Sequence, residues 1–260
     1  MNCNENIIGV IQARLSSTRL PKKVLADILG KPMIWHIVNR MKAIPSLSKI
    51  VISTTNNEND EPLREFAKSI NIPFYAGSEN DILDRLYQTG KKFNATALVK
   101  VNADCPLIDP DIIKTAIDQY CTVHPRPDLI ENSIPNTFPE GLQFGIFNFI
   151  TLSNLWHIVK DPFWREFIYM YIIENRTKYS VINIVNNENL SNMRWTVDYP
   201  EDLEFVRKIY ANLYTKNNLF TLNDILLFLR QNPEIQKINS KCSSSMELYE
   251  KLRDKNGKII

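Results

Sequence analysis

The chain has 260 residues, 44% hydrophobic and 23% charged, which suits one globular domain with an appendage or two small domains. A formal net charge of only +2 excludes the broad basic excess of a duplex-binding protein, and 7 glycines leave little room for glycine-rich linkers. Residues 1–6 are polar, the apolar run after them is too short for a targeting peptide, and no stretch approaches membrane-spanning length, so neither nucleic acid nor membrane is an expected partner.

The first apolar run, Ile7-Ile8-Gly9-Val10-Ile11-Gln12, reads as a buried strand. It empties into a polar loop carrying Arg14, Arg19, Lys22 and Lys23, with Ser16-Ser17-Thr18 between the arginines. Loops leaving the C-terminal ends of parallel strands are where open α/β sheets bind ligands. Arg forks and hydroxyls match phosphate oxygens, and Lys adds a movable point charge. A solvated basic turn would carry the same cations, and the loop alone leaves both readings open.

Residues 32–43 place Met33, Ile34, Ile37, Val38 and Met41 on one helical face, with Pro32 as the first helical residue. Residues 49–53 read as a strand, 61–70 as a short helix burying Leu63, Phe66 and Ile70, and 72–75 as a brief strand. Residues 80–93 form a helix with Ile82, Leu83, Leu86 and Tyr87 inward. The strand 97–101 runs into Asn102-Ala103-Asp104-Cys105-Pro106, and Asp109-Pro110 caps a helix to about Tyr120. The stretch 121–139 is irregular, and 141–150 alternates imperfectly as a strand. Residues 163–175 read as an aromatic helix whose Phe163, Trp164, Phe167, Tyr169 and Tyr171 belong in a core or dimer interface, with an acceptor-lining role as the other reading. A strand at 181–185, an extended piece at 195–198 and a helix from Pro200 to about Tyr214 follow. Thr221 caps a helix with Ile225, Leu226, Phe228 and Leu229, and 246–254 form another. This alternation predicts an α/β fold with a mostly parallel sheet and helices on both faces. The expected division is a unit of residues 1–215 and a C-terminal helical extension, 216–260, packed on the core or on a partner subunit.

Cys3, Cys105, Cys121 and Cys242 form no CxxC pair and fit no zinc module, so reduced thiols in a cytoplasmic protein are expected. His36, His124 and His157 are isolated from one another and read as structural.

Asp104 and Asp198 each follow a strand, on the side where the cationic loop emerges. Two carboxylates there repel. A Mg²⁺ ion would remove the repulsion and bridge to phosphate oxygens. Each aspartate would equally serve as a turn or helix cap. Together with Arg14, Arg19 and Lys23 the pair fits phosphoryl or nucleotidyl transfer, which rests on positioning and electrostatic stabilisation. GxxxxGK[ST] and GxGxxG are both absent, which disfavours a P-loop NTPase and a dehydrogenase.

Ala13-Arg14-x-x-Ser17-x-Arg19-x-Pro21-x-Lys23, followed by Leu25-Ala26-Asp27 and Gly30-Lys31-Pro32-Met33-Ile34, resembles the signature of sugar-activating cytidylyltransferases. That group includes CMP-Kdo synthetases, CMP-sialate synthetases and the SpsF-like spore-coat enzymes, the last the closest match. Asn80-Asp81-Ile82-Leu83-Asp84-Arg85, Ala103-Asp104-Cys105-Pro106-Leu107, Glu140-Gly141-Leu142, Trp164-Arg165-Glu166 and Thr196-Val197-Asp198-Tyr199-Pro200 continue it in order, over roughly residues 7–240. The resemblance implies a Rossmann-like nucleotidyltransferase fold, CTP as donor, Mg²⁺ as cofactor and a homodimer. It implies that Arg14, Ser17, Arg19 and Lys23 hold the triphosphate, with Arg85 and Asn102 near the nucleoside. Arg14, Lys23 and Asp104 would be catalytic, Asp104 and Asp198 would hold the metal, and Gln143, Arg165 and Glu166 would face a small anionic acceptor. The implied reaction is attack of an acceptor oxygen on the α-phosphorus of CTP, in surface-glycan or related conjugate synthesis; a nucleotidyltransferase using another NTP and a catalytically inactive nucleotide-sugar-binding protein are the alternative readings.

Three departures touch this pattern. Gly141-Leu142-Gln143-Phe144 lacks two acidic residues that the family often carries there, Phe167 replaces a histidine, and Lys22 stands where a glycine is usual. The nucleotide half is intact. The acceptor pocket is expected to be less polar, or suited to a more anionic acceptor.

Overall fold

The computed structural model describes residues 5–256. Strand β1 (Ile7–Gln12) leads through a small hairpin, β2 (Asp27–Ile28) and β3 (Lys31–Pro32), to helix α1 (Met33–Lys42). Then come β4 (Lys49–Thr55), α2 (Glu61–Ser69), β5 (Phe74–Gly77), α3 (Ile82–Lys92), β6 (Ala97–Asn102) and α4 (Pro110–Thr122). The second half holds β7 (Leu129–Glu131), β8 (Phe144–Asn148), α5 (Phe149–Ile158), α6 (Pro162–Glu166), α7 (Ile168–Glu174) and β9 (Val181–Asn183). Helices α8 (Pro200–Leu213), α9 (Leu222–Gln231), α10 (Pro233–Gln236) and α11 (Ser245–Lys255) complete it.

The main sheet has seven strands in the order β5-β4-β1-β6-β8-β7-β9. The first four run parallel, β8 lies antiparallel between β6 and β7, and β9 pairs parallel with β7. Strand alternation divides the core between the two faces. Ala97, Val99 and Val101 of β6 join one apolar cluster with Met33 and Ile37 of α1, while Leu98 joins another with Leu83 and Leu86 of α3. Helices therefore cover both faces of the sheet.

Several elements differ from the sequence expectation for identifiable reasons. The strand expected at 141–150 stops at Asn148, whose side chain accepts from Ile150 N and starts α5. The irregular stretch conceals β7, too short at three residues to show a period. Strand β5 begins after Pro73, which has no N–H to give the ladder. The aromatic helix breaks at Phe167 (φ −103°, ψ 41°) into α6 and α7. Pro32 caps α1 from the end of β3 rather than opening the helix.

The C-terminal helices pack on the chain's own core. Phe220, Ile225 and Leu229 are buried in the α1 cluster. Arg40 of α1, fully buried, donates to Ile108 O (2.6 Å) and to Phe220 O, joining three distant segments. His36 is structural, its Nε2 lying 2.8 Å from Ile28 O. Cys105 and Cys242 are free thiols. Cys121 is disulfide-bonded, which corrects the expectation of a reduced thiol there, since linear spacing does not reveal pairing; Cys3 lies outside the described residues.

Gly141 matters for the geometry around the site. Its φ is +111°, and a Cβ would lie 2.5 Å from Thr196 N and 2.6 Å from the carbonyl carbon of Trp195. Only glycine lets this turn press against the 195–198 segment, where Trp195 N donates to Glu140 O (2.6 Å) and Val197 N to Asp104 O (2.8 Å). Gly141→Ala is expected to destabilise the protein by at least about 2 kcal/mol, read as a lowered midpoint in urea unfolding.

Candidate active site

Three chain segments meet at the C-terminal edge of the parallel strands: the loop after β1, the end of β6, and residues 195–198 before α8. The Lys23 ammonium ties them together. It is 8% exposed and donates to Asp104 Oδ2 (2.9 Å), Asp198 Oδ1 (2.7 Å) and Val197 O (2.7 Å), using all three of its N–H bonds. Arg19 Nη2 approaches Asp198 Oδ1 at 2.8 Å, and its guanidinium lies over the Tyr199 ring. From behind, Arg194 bonds Asp198 Oδ2 (3.0 Å) and Glu140 Oε2 (2.9 Å) and forks onto Asp202, at 3.0 Å to each oxygen. Asp202, fully buried, also accepts from Asp198 N, Tyr199 N and Asn239 Nδ2.

The electrostatics follow from this packing. Burial opposes the Lys23 charge, but Asp104 and Asp198 outweigh it and hold the pKa above the ordinary lysine value. Burial likewise opposes the Asp198 charge, and Lys23, Arg19 and Arg194 overcome it, holding the carboxyl below its usual range. Burial pushes the Cys105 thiol up, so it sits beside Asp104 (3.4 Å from Oδ1) as a neutral donor.

A cavity of about 390 Å³ opens over this cluster. All six residues expected to bind nucleotide, Arg14, Ser17, Arg19, Lys23, Arg85 and Asn102, line it together with Asp104 and Asp198. Arg85 is buried at its wall and anchored to Ser78 O (2.5 Å) and Glu79 O (3.3 Å); burial, and then Arg14, lower its pKa. Lys22 takes the left-handed conformation at φ 56°, ψ 23°, which explains why glycine suits the position before Lys23.

Two smaller cavities adjoin the first, of about 340 Å³ and 310 Å³. Gln143 lines both, held to its own turn through Gly141 N (2.6 Å) and Pro139 O (3.1 Å), and Glu166 lines the larger. The structure does not bring Arg165 to any of these three cavities. Its side chain pairs with Asp81 Oδ2 (2.7 Å) and donates to the carbonyls of Val159 (2.7 Å) and Trp156 (3.3 Å). The motif locates the helix, but which side chain of an adjacent pair faces inward depends on where α6 breaks. The aromatic residues divide for the same reason. Trp164 and Tyr171 pack against the apolar cluster and Phe163 is buried, whereas Phe167 and Tyr169 line the 340 Å³ cavity, against the expectation for those two.

The residues unforeseen from sequence are chiefly supports. Arg194 and Asp202 flank Asp198 by four residues on each side, a symmetry that only their convergence makes meaningful. Gln12 lines the 390 Å³ cavity, and its buried Oε1 has no partner among the described residues. Among the described residues, no group of three or more His, Cys, Asp or Glu side chains is arranged to hold a metal. Asp104 and Asp198 nonetheless come together, both on the Lys23 ammonium, at the floor of an open cavity that they line. A donor set of two carboxylates, completed by waters and substrate phosphates, fits Mg²⁺.

The family profile described as cytidylyltransferase matches residues 8–225. The chain belongs to the cytidylyltransferase family. It is similar to the spore coat polysaccharide biosynthesis protein SpsF of Bacillus subtilis, 24% identical with 88% of this chain and 96% of that protein covered. A 3-deoxy-manno-octulosonate cytidylyltransferase of Geobacter sulfurreducens is 35% identical over 112 residues, covering 43% of this chain and 44% of its own. Among solved structures, a cytidylyltransferase from Leptospira borgpetersenii superposes with a TM-score of 0.85 at 28% identity, covering 89% of this chain and 97% of that one. The protein is accordingly a CTP-dependent nucleotidyltransferase with the Rossmann-like fold that the motifs implied.

Two outcomes test this geometry. Because Asp198 is depressed below its ordinary value near 3.8, its contribution is present above that pH and is lost as pH falls through the lower folded value. Asp198→Asn should therefore cost about 3 kcal/mol at pH 7 and shrink the acid-side fall in Tm between pH 5 and 2, measured by calorimetry. Lys22→Gly should raise stability by about 1 kcal/mol in denaturant titration, by relieving the left-handed backbone.

Proposed function

We propose that the enzyme transfers CMP from CTP to an acidic sugar or to a phosphorylated or phosphonate acceptor, releasing pyrophosphate, in the synthesis of a surface polysaccharide or related glycoconjugate. The observation that carries this reading is the Lys23 clamp. One ammonium gathers Asp104 and Asp198 on the floor of a cavity lined by Arg14, Arg19 and Arg85, next to a second cavity of suitable size for an acceptor.

In this reaction an oxygen of the acceptor attacks the α-phosphorus of CTP. The bond from the α-phosphorus to the bridging oxygen breaks, and pyrophosphate carries away that electron pair. If the acceptor oxygen is a hydroxyl, its proton passes to water. Arg14, Arg19 and Lys23 neutralise the triphosphate and stabilise the charge growing on the leaving pyrophosphate, with Ser17 adding a hydroxyl. Arg85 and Asn102 orient the nucleoside, while Gln143 and Glu166 face the acceptor. Asp104 and Asp198 would hold Mg²⁺, which when bound supplies further charge neutralisation at the phosphates.

A homodimer in the cytoplasm completes the proposal. The exposed Ile150 and Ile158 of α5 offer apolar surface for self-association. Dependence on intracellular CTP supports the location, whereas the disulfide at Cys121 argues against it. Among the described residues, no helix is long and apolar enough to cross a membrane.

Pyrophosphate release with CTP and Mg²⁺, across a panel of acidic sugars and phospho- or phosphono-acceptors, is the direct test. Lys23→Ala and Asp104→Ala should each lower kcat about 100-fold or more, EDTA should abolish turnover, and CTP should outperform UTP, ATP and GTP. Full activity in either variant would overturn the assigned roles. Efficient use of 3-deoxy-manno-octulosonate or sialate would overturn the expectation of an altered acceptor pocket.

A further inference from the structure

Lys100 is a charge that the Lys23 cluster leaves unexplained. It lies in the middle of β6, within the apolar run Ala97-Leu98-Val99-Lys100-Val101. Strand alternation puts it on the same face as Leu98 and Asn102. Leu98 belongs to the second apolar cluster, so Lys100 stands where that cluster gives way to the cavity edge. Opposite it on β8 is Gly145, where a Cβ would come within 2.9 Å of the Tyr169 ring. The side chain is only partly accessible and lines the 340 Å³ cavity with Gln143, Glu166 and Tyr169.

No hydrogen bond or ion pair to any described residue holds this ammonium. The contrast with Lys23, which fills all three donors, is direct. Burial lowers the Lys100 pKa, and Asp104, though attractive, does not compensate. The ammonium is open to the cavity rather than sealed in the core, so an anionic solute there can meet it without displacing a protein partner.

The cavity's position relates that solute to the donor site. It shares Gln12, Ile82 and Asn102 with the nucleotide cavity, so a molecule within it reaches the donor site. Lys100 lies two residues before Asn102, about 6.6 Å further down the strand. Gln143, neutral, leaves Glu166 as the carboxylate that lines this cavity.

We infer that Lys100 is the anion anchor of the acceptor cavity and determines acceptor specificity by pairing with a carboxylate or phosphoryl group while the attacking oxygen faces the CTP site. This inference rests on the proposed transfer reaction and adds to it the residue that selects a charged acceptor. The shared chemistry is an anionic oxygen group, which an ammonium meets as a point charge without the geometric demand of a guanidinium fork.

The test uses the full chain and calorimetry with α,β-methylene CTP, which cannot be transferred. Wild type, Lys100→Met and Lys100→Arg are compared. If wild type fails to bind this nucleotide, the transfer reaction and the inference resting on it both fall. With the nucleotide bound, 3-deoxy-manno-octulosonate, glycerol 3-phosphate, 2-aminoethylphosphonate and neutral glucose are titrated separately. The expected result is tighter binding of at least one anion than of glucose. Lys100→Met should weaken that anion about 10- to 100-fold, Lys100→Arg should restore much of the loss, and nucleotide affinity should stay the same in all three proteins. The preferred anion then separates a carboxylated from a phosphorylated acceptor. Equal binding of that anion to Lys100→Met, or binding of none of the three anions to wild type, overturns the inference while leaving nucleotide recognition standing.

Discussion

The convergence of Asp104 and Asp198 on the Lys23 ammonium is the constraint on which the active site depends. Asp104 follows β6, whereas Asp198 follows no strand among the described residues, against the sequence expectation, and sits just before α8; without a shared cation their charges would drive them apart. Lys23 holds them together and also grips Val197 O, so one side chain sets the relative positions of the N-terminal loop, the end of β6 and the entry to α8. The same clamp fixes the acidic floor of the 390 Å³ cavity beside Arg14 and Arg19.

A second layer keeps that clamp from relaxing. Arg194 forks onto Asp202 and reaches Asp198 and Glu140, so both oxygens of Asp198 are engaged, one by Lys23 and Arg19 and the other by Arg194. Asn239, beyond α10, donates to Arg194 O (2.9 Å) and Asp202 Oδ1 (2.8 Å), bringing the C-terminal region into the support of the site. Gly141 lets the turn bearing Glu140 approach the 195–198 segment closely enough for this network to close. Charge, hydrogen bonding and backbone contact thus act on one small volume, where burial strengthens each of them.

Much of this was legible in the residues themselves. The apolar runs of β1, β4 and β6 mark the parallel strands, and Asp109-Pro110 and Thr221 announce helix starts that the structure bears out. Arg14, Ser17, Arg19, Lys23, Arg85 and Asn102, grouped together from the sequence, all line one cavity. Other features had no local signal. Strand β7 is too short to display a period, and α5 is concealed because its sequence, Phe149–Ile158, is apolar without a strong amphipathic pattern. Arg165 and Glu166 are neighbours in one motif, yet one is tied to Asp81 and the other lines the 340 Å³ cavity.

By itself the sequence determined which chemistry was available: cations spaced along a loop after the first strand, two aspartates at segment boundaries, and no phosphate-binding glycine loop. Those features are local, because loop composition and strand ends are set by neighbouring residues. Only the tertiary structure decided that Lys23 bridges both aspartates, that Arg194 braces Asp198, that Arg165 turns away and that Lys100 faces a cavity with no partner among the described residues. Each of these depends on distances between segments up to 175 residues apart, and such distances are fixed by how helices and strands pack, not by the order in which they occur.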